Sequence, residues 1–398
     1  MSAATHQEHH APAPLGGPLV TPTTIVCAIL VVAMLAVLGT RLVLGLGATT
    51  NMNDGYPWGL WIVYDVVCGS ALATGGFVTA LLVYVLNRGQ YHPLIRPALV
   101  ASLLGYMMAG ASVIFDLGRY WDFWHIFWPK YAQVNSVLFE VALCIAAYIL
   151  IMWIEFLPVV LEKLGWESPR RKLNRWLFLF VAIGVLLPTM HQSSLGTLLV
   201  VLGPQIHPLY QSYMLPLLFL TSCIGMGFAA VTLEAGISAM GLRRPFDKEI
   251  LGGLLQVGRL MVALFVVVRF LDLGYRGALG YAFQPSLPMM TFWLENFLLT
   301  VPLWLLASKE SRGKARLLFL SALSMAFGGL VYRMAAFLVA YDTGAGWHYF
   351  PSLGEMTVTI GLIALEVLVV IVAFRVLPIL PVVSPIAPSV PAEGSRTT

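Results

Sequence analysis

Charge is scarce in this sequence: Asp, Glu, Lys and Arg make up 11% of its 398 residues, against 59% hydrophobic residues. A soluble domain of this size carries about a quarter charged residues, so a soluble globular class is excluded and an integral membrane protein is expected. Cysteine is scarce too. Cys27, Cys68, Cys144 and Cys223 fall singly in four apolar stretches without any CxxC spacing, which argues against a disulfide framework or iron–sulfur ligation in this chain. There is no Rossmann glycine fingerprint and no P-loop, so nucleotide chemistry has no anchor. Of the eight histidines, His6, His9, His10, His92, His125, His207 and His348 fall in loops or the amino-terminal arm. Only His191 is placed to face a membrane interior. A buried b-type haem draws its axial ligands from histidine, and no bis-histidine pair can be assembled inside the bilayer here. The formal net charge of +4 implies no nucleic-acid partner.

What the sequence has instead is long apolar runs of the length that crosses a hydrocarbon core of roughly 30 Å as helix, about 20 residues. They predict ten helices near residues 22–46, 58–86, 97–117, 135–161, 174–190, 209–240, 250–274, 289–308, 315–340 and 354–377, and hence an all-α polytopic membrane protein. The even-numbered loops carry 14 Lys and Arg residues and the odd-numbered loops 3. Positive loops are retained in the cytoplasm, so both termini are expected inside a bacterial inner membrane. The loops "RYWDFWHIFWPKY" (119–131) and "YDTGAGWHYFPS" (341–352) then face out, their aromatic residues suiting the membrane interface. Residues 1–21 contain no Lys or Arg and much Ala and Pro; they read as a disordered cytoplasmic arm rather than a cleavable signal. The Pro-rich residues 379–398 read as a disordered tail, leaving 22–378 as the membrane domain.

Two stretches resemble each other: "VIFDLGRY" (113–120) and "VRFLDLGYR" (268–276). Each is followed by a helix with an early carboxylate, Glu140 in "NSVLFE" and Glu295 in "TFWLE". A weaker match joins "RWLFLF" (175–180) to "RLLFLS" (316–321). Helices 2–5 and 6–9 therefore read as two pseudo-repeated four-helix bundles (about 58–200 and 209–341), flanked by helices 1 and 10.

Ionisable side chains in hydrocarbon cost roughly 2.5–3.5 kcal/mol even on the gentlest scale, so by default they mark proton or ion paths or paired sites. Asp65, Asp116, Glu140, Glu155, Glu234, Asp272, Glu295 and Glu366 lie in or at the ends of the expected helices, with Arg259, Arg269 and Arg333. Asp116, Asp272 and Glu295 could equally pair with Arg119, Arg269 or Arg333. Glu140 could serve the helix dipole after Asn135. Glu234, in "AAVTLEAGI", has no basic residue within one turn.

The runs "YPWGLW", "NRGQYHPLIRPALVASLLGY", "DLGRYW", "NSVLFE", "LLPTMHQSSLG" and "RVLPILP" resemble, across essentially the whole chain, the HybB-type membrane subunits of periplasmic nickel–iron hydrogenases, within the NrfD and polysulfide-reductase family. The resemblance implies a haem-free subunit of two four-helix bundles that binds menaquinone or another quinone near the periplasmic face. It implies electrons from a periplasmic ferredoxin-like iron–sulfur subunit, itself fed by the small and large hydrogenase subunits. The matching quinone-site positions are Tyr106, Asp116, Glu140 and His191. His191 is expected to end helix 5 on the outer side, near Glu140 and Asp116, with Tyr106 about 15 Å deeper on helix 3. By the repeat, His191 corresponds to about Tyr332 or Arg333, so one working site is expected, in the first bundle. His191 would bind or protonate a quinone carbonyl oxygen, while Glu140 and Glu234 would relay protons. A proton-coupled secondary transporter with parallel repeats is the alternative, and a purely structural anchor a third.

Overall fold

The computed structural model describes residues 12–380 apart from 243, 245 and 345. Its long helices are α1 (Pro22–Leu44), α2 (Trp61–Val85), α3 (Ile95–Asp116), α4 (Val137–Lys163), α5 (Glu167–Leu202), α6 (Leu215–Leu242), α7 (Lys248–Tyr275), α8 (Leu287–Leu305), α9 (Ala315–Val339) and α10 (Leu353–Val376). Nine of them, among the described residues, are long and apolar enough to cross a membrane. The exception is α8. Its 19 residues stand where the eighth crossing is expected, but Glu295, Asn296 and Pro302 interrupt its apolar run. Every backbone polar group in hydrocarbon must be satisfied within the protein, and a helix does so segment by segment.

Local sequence sets the helix ends. Pro22 occupies the first turn of α1, and the Thr21 hydroxyl accepts from the Thr24 N–H. At α10 a capping box joins Ser352 and Glu355, and the Glu355 carboxylate also accepts from the Asn51 N–H at 3.0 Å and the Tyr349 hydroxyl. α2 is irregular. Wide π-type turns run over Trp61–Gly69 and Leu81–Val85, with a break at Ala73–Thr74.

α4 packs along α5, α2 along α3, and α3 against α4, with α2 also touching α5. α6, α7, α8 and α9 pack in the same cyclic manner, and α2 and α5 meet α6 between the two groups. α1 and α10 pair with each other, and α10 lies against α3. The basic loops gather at the end of the bundle where the chain enters α1 and leaves α10. There Arg96 and Arg170 both bridge to Glu162, at 2.9 and 3.0 Å. The opposite end carries the short helix Tyr120–Phe127, with Trp121, Trp124 and Trp128 exposed. We call these the basic and aromatic ends.

Where the expected arms enter the described residues they meet each other: the N–H groups of Ala13, Leu15 and Gly16 donate to the carbonyls of Leu380, Phe374 and Arg375. The rest of the arms, residues 1–11 and 381–398, lies outside the described residues.

Candidate quinone site

α5 decides the geometry. The sequence pattern ends this helix near 190, yet it continues unbroken to Leu202. The small polar residues after His191 do not stop it because their hydroxyls are satisfied by the helix itself. Ser193 and Ser194 donate to the Met190 carbonyl at 2.7 and 2.9 Å, and Thr197 to that of Ser193. This is the back-bonding that lets Ser and Thr sit inside a helix. His191 is therefore not a helix-end residue. It stands 11 residues before Leu202, roughly 16 Å from the aromatic end.

Each helix of the first group contributes to what surrounds it at that depth. Tyr106 of α3 makes a 2.8 Å hydrogen bond between its hydroxyl and His191 Nε2. Tyr148 of α4 meets the Tyr106 ring edge-on at 4.6 Å. Gln192 Nε2 approaches His191 Nε2 at 3.2 Å and donates to Ser70 Oγ of α2 at 3.0 Å. Tyr106, His191 and Gln192 are wholly buried. Because Nε2 faces two donors, the Tyr106 hydroxyl and the Gln192 amide, it acts as acceptor. A neutral imidazole carries its proton on the other nitrogen, so Nδ1 is the donor. His191 Nδ1 and Gln192 Oε1 are both buried with no partner. Such orphans are uncommon in packed protein and ask for an explanation; an unpaired donor and an unpaired acceptor on neighbouring buried residues suit a ligand carrying oxygen.

The other expected site residues are not gathered here. Asp116 ends α3, ten residues above Tyr106, with Oδ1 buried and unpartnered. Its neighbours Phe115 and Leu117 instead offer their carbonyls to Arg41 of α1. Glu140 lies in the first turn of α4, whose N-cap is Ser136 rather than Asn135, eight residues before Tyr148. That is roughly 12 Å along the axis. His191, expected at the outer helix ends beside Asp116 and Glu140, instead stands at the deeper level expected for Tyr106, within the bundle, while Asp116 and Glu140 remain at the aromatic end. Glu234 stands elsewhere, on α6, eight residues from Leu242 at the basic end.

The second group instead buries an ion pair. Arg269 bridges Glu295 at 2.6 Å with both side chains buried, and Tyr210 donates to Glu295 Oε2 at 3.0 Å. The Arg269 guanidinium lies over the rings of Tyr210, Phe265, Phe292 and Tyr332. Arg333 turns away and donates to the carbonyls of Val67 and Phe219 at 3.0 and 2.8 Å. Asp272 pairs with Arg276 at 2.7 Å.

Sequence reasoning missed Ser70, Tyr148 and Gln192. Gln192 was open to inference, because a polar side chain beside a buried histidine in an apolar helix needs a partner. Nothing in the chain links Ser70 or Tyr148 to it. The four buried cysteines are free, and no group of three His, Cys, Asp or Glu side chains among the described residues could hold a metal ion.

Residues 48–343 match the polysulphide reductase NrfD family. The chain is 44% identical to the probable Ni/Fe-hydrogenase 2 b-type cytochrome subunit of Escherichia coli, over 90% of this chain and 92% of that one. It is 29% identical to the menaquinone reductase integral membrane subunit of Nitratidesulfovibrio vulgaris, over 57% of this chain and 56% of that one. It is 24% identical to a selenate reductase subunit of Mesobacillus selenatarsenatis, over 85% of this chain and 89% of that one.

Proposed function

This chain belongs to the polysulphide reductase NrfD family, and from that premise we propose that it is the haem-free, quinone-reactive membrane subunit of a hydrogen:quinone oxidoreductase. It serves as a membrane anchor in quinone electron transfer. In this reading electrons released from hydrogen pass through the hydrogenase large and small subunits and a ferredoxin-like iron–sulfur subunit to menaquinone, or a related quinone, in the first helix group. The complex sits in the bacterial inner membrane with both termini of this chain in the cytoplasm, so the basic end faces inward.

The observation that carries the reading is the buried pair of orphans on His191 and Gln192 beside the Tyr106–His191 hydrogen bond. Reduction of a quinone to the quinol takes up two electrons and two protons, one proton on each carbonyl oxygen. In this reading His191 Nδ1–H donates to one oxygen and the imidazole takes the Tyr106 hydroxyl proton at Nε2, while the proton for the other oxygen comes by way of Glu140. Tyr148 and Tyr106 wall the slot with apolar ring surface, as a site for a largely apolar ligand requires. Asp116 and Glu140 stand at the aromatic end of the same group, where the iron–sulfur partner would dock, and Glu140 serves proton transfer there. Glu234 accepts protons at the basic end.

The name of the Escherichia coli relative speaks of a b-type cytochrome. The residues here do not fit a haem. Among the described residues His191 is the one histidine buried within the helix bundle, and its Nε2 is engaged by Tyr106 and Gln192. His92 is exposed in the opening turns of its span at the basic end, and His125, His207 and His348 lie between the long helices. A dithionite-reduced optical spectrum of the purified complex is expected to lack b-type bands; their presence at one haem per copy of this chain would refute the haem-free assignment. The proposal as a whole is tested by hydrogen-driven reduction of a menaquinone analogue by that complex. A chain that purifies without an iron–sulfur partner and reduces no quinone would favour the transporter reading, whose polar site would be the carboxylate-lined cavity between α2, α3, α6 and α10.

A further inference from the structure

A cavity of about 620 Å³ lies on the far side of α2 and α3 from His191, enclosed by α2, α3, α6 and α10. Small residues make the room. Gly69, Ala73 and Gly75 of α2 face Ala98, Ala101 and Gly105 of α3. Three helices each place a carboxylate in its wall: Asp65 of α2, Glu234 of α6 and Glu366 of α10. The carboxylates are spaced along the membrane normal. Glu234 is eight residues from the basic end of α6, roughly 12 Å, and Glu366 ten residues from that of α10, roughly 15 Å. Asp65 is near the aromatic end, four residues into α2.

Among the described residues none of the three has a basic partner in an ion pair. Asp65 Oδ2 accepts from Ser112 Oγ at 3.1 Å, and Glu234 Oε1 is buried with no hydrogen-bond partner. The other polar wall groups are Tyr64, Ser102 and Ser238, with Thr21, Thr23 and Arg375 at the basic end, where Arg375 Nη1 is unpartnered. A slot meant for a lipid or an isoprenoid tail would gain nothing from three carboxylates, each costly to hold in hydrocarbon. Water can offset that cost where two to four polar partners and enough room are present, and here both are.

The cavity also comes close to the Tyr106–His191 pair. A Cβ atom placed on Gly105 would lie 3.4 Å from Glu366 Oε1 and 2.7 Å from Ala73 Cβ, so the Glu366 carboxylate rests against the α3 backbone. The next residue is Tyr106. Likewise Gly69 lines the cavity while Ser70 turns to Gln192. One helix thickness separates the two spaces, and α2 is broken at this level, at Ala73–Thr74.

We propose that this cavity is a water-filled proton-loading chamber opening at the basic end, in which Glu234 and Glu366 hold protons bound for the Tyr106–His191 cluster. The step is proton transfer alone: the Glu366 carboxyl O–H gives its proton, through chamber water, to the Tyr106 oxygen left unprotonated once Tyr106 has restored the His191 imidazole, and the Glu366 carboxylate regains one from Glu234 through chamber water. The electrons come from the iron–sulfur partner. The destination of the proton rests on the function proposed above; the chamber and its opening do not.

Two measurements on the intact complex separate these. First, single Ala101→Cys and Val370→Cys variants in oriented vesicles are treated with a small membrane-impermeant thiol reagent. Both are expected to be labelled from the basic-end side and not from the other. Absence of labelling while Leu242→Cys reacts, or labelling from the aromatic-end side, overturns the chamber. Second, hydrogen-driven membrane potential is measured with a menaquinone analogue in proteoliposomes. Glu366→Gln is expected to lower potential generated per hydrogen oxidised at least about tenfold, the scale of losing one proton-transfer group. Glu366→Asp should largely restore it, and hydrogen oxidation with a soluble dye should stay at the wild-type level in both. A wild-type ratio in Glu366→Gln overturns the proton role. If the wild-type complex reduces no quinone at all, the proposed function fails, and the cysteine labelling still decides the chamber.

Discussion

Replacing His191 with Ala is expected to reduce hydrogen-driven quinone reduction by roughly two to four orders of magnitude, the range for removing a positioned proton donor. Hydrogen oxidation with a soluble dye should remain. The separation follows from the proposed function, in which hydrogen is split in partner subunits, whereas His191 Nδ1 is the unpartnered donor in the first helix group. Tyr106→Phe is expected to act in the same direction but less severely, by about tenfold or more, because it removes the 2.8 Å bond to Nε2 and leaves the imidazole in place. It also frees Nε2 from its strongest donor, so the proton on Nδ1 is no longer fixed. The measurement is the ratio of quinone-linked to dye-linked rate in the same preparation. Equal losses in both assays would mean an assembly defect and would remove the support for a quinone role at these residues.

The second large effect concerns folding. Glu295→Ala would leave the Arg269 guanidinium buried among Tyr210, Phe265, Phe292 and Tyr332 with no counter-charge. Breaking a buried ion pair from one side costs about 3–5 kcal/mol, because the uncompensated charge cannot return to water. The cost of burying the pair was met when both charges were present; after truncation only the cost remains. Glu295→Ala is therefore expected to lower the yield of assembled complex sharply and its midpoint of thermal inactivation with it. Replacing both partners, Arg269→Leu with Glu295→Leu, should recover much of the loss. Additive losses in the double variant would show that the two side chains act separately and that the pair does not hold the second helix group together.

Much of this was legible in the sequence. The ten apolar runs became ten helices within a few residues at most ends, because hydrocarbon leaves a backbone no alternative to helix. Tyr106 and His191 were named from their motifs and meet through a hydrogen bond. The depth of the site was not legible. "HQSSLG" looks like a helix stop, and only the serine hydroxyls' bonds to the Met190 carbonyl reveal a helix that continues. A shift of twelve residues in that helix end moved His191 from the end of the bundle into its interior. Nor could the chain order bring Asp65, Glu234 and Glu366 together, since they stand on three helices scattered along its length. Glu234 was noticed because it lacked a basic neighbour within one turn; the charged groups that share its cavity are Asp65, Glu366 and Arg375.

The most direct test of the central claim, that quinone is reduced beside His191, is photoaffinity labelling of the intact complex with an azido-menaquinone analogue, followed by peptide mapping. α5 contributes His191 and Gln192 to the site and no residue to the large cavity, so it reports on one space alone. The label is expected on the α5 peptide around His191, with competition by excess unlabelled quinone and loss in His191→Ala. Competable label confined to α6 and α10 around Glu234 and Glu366, or to the second helix group, would contradict the account.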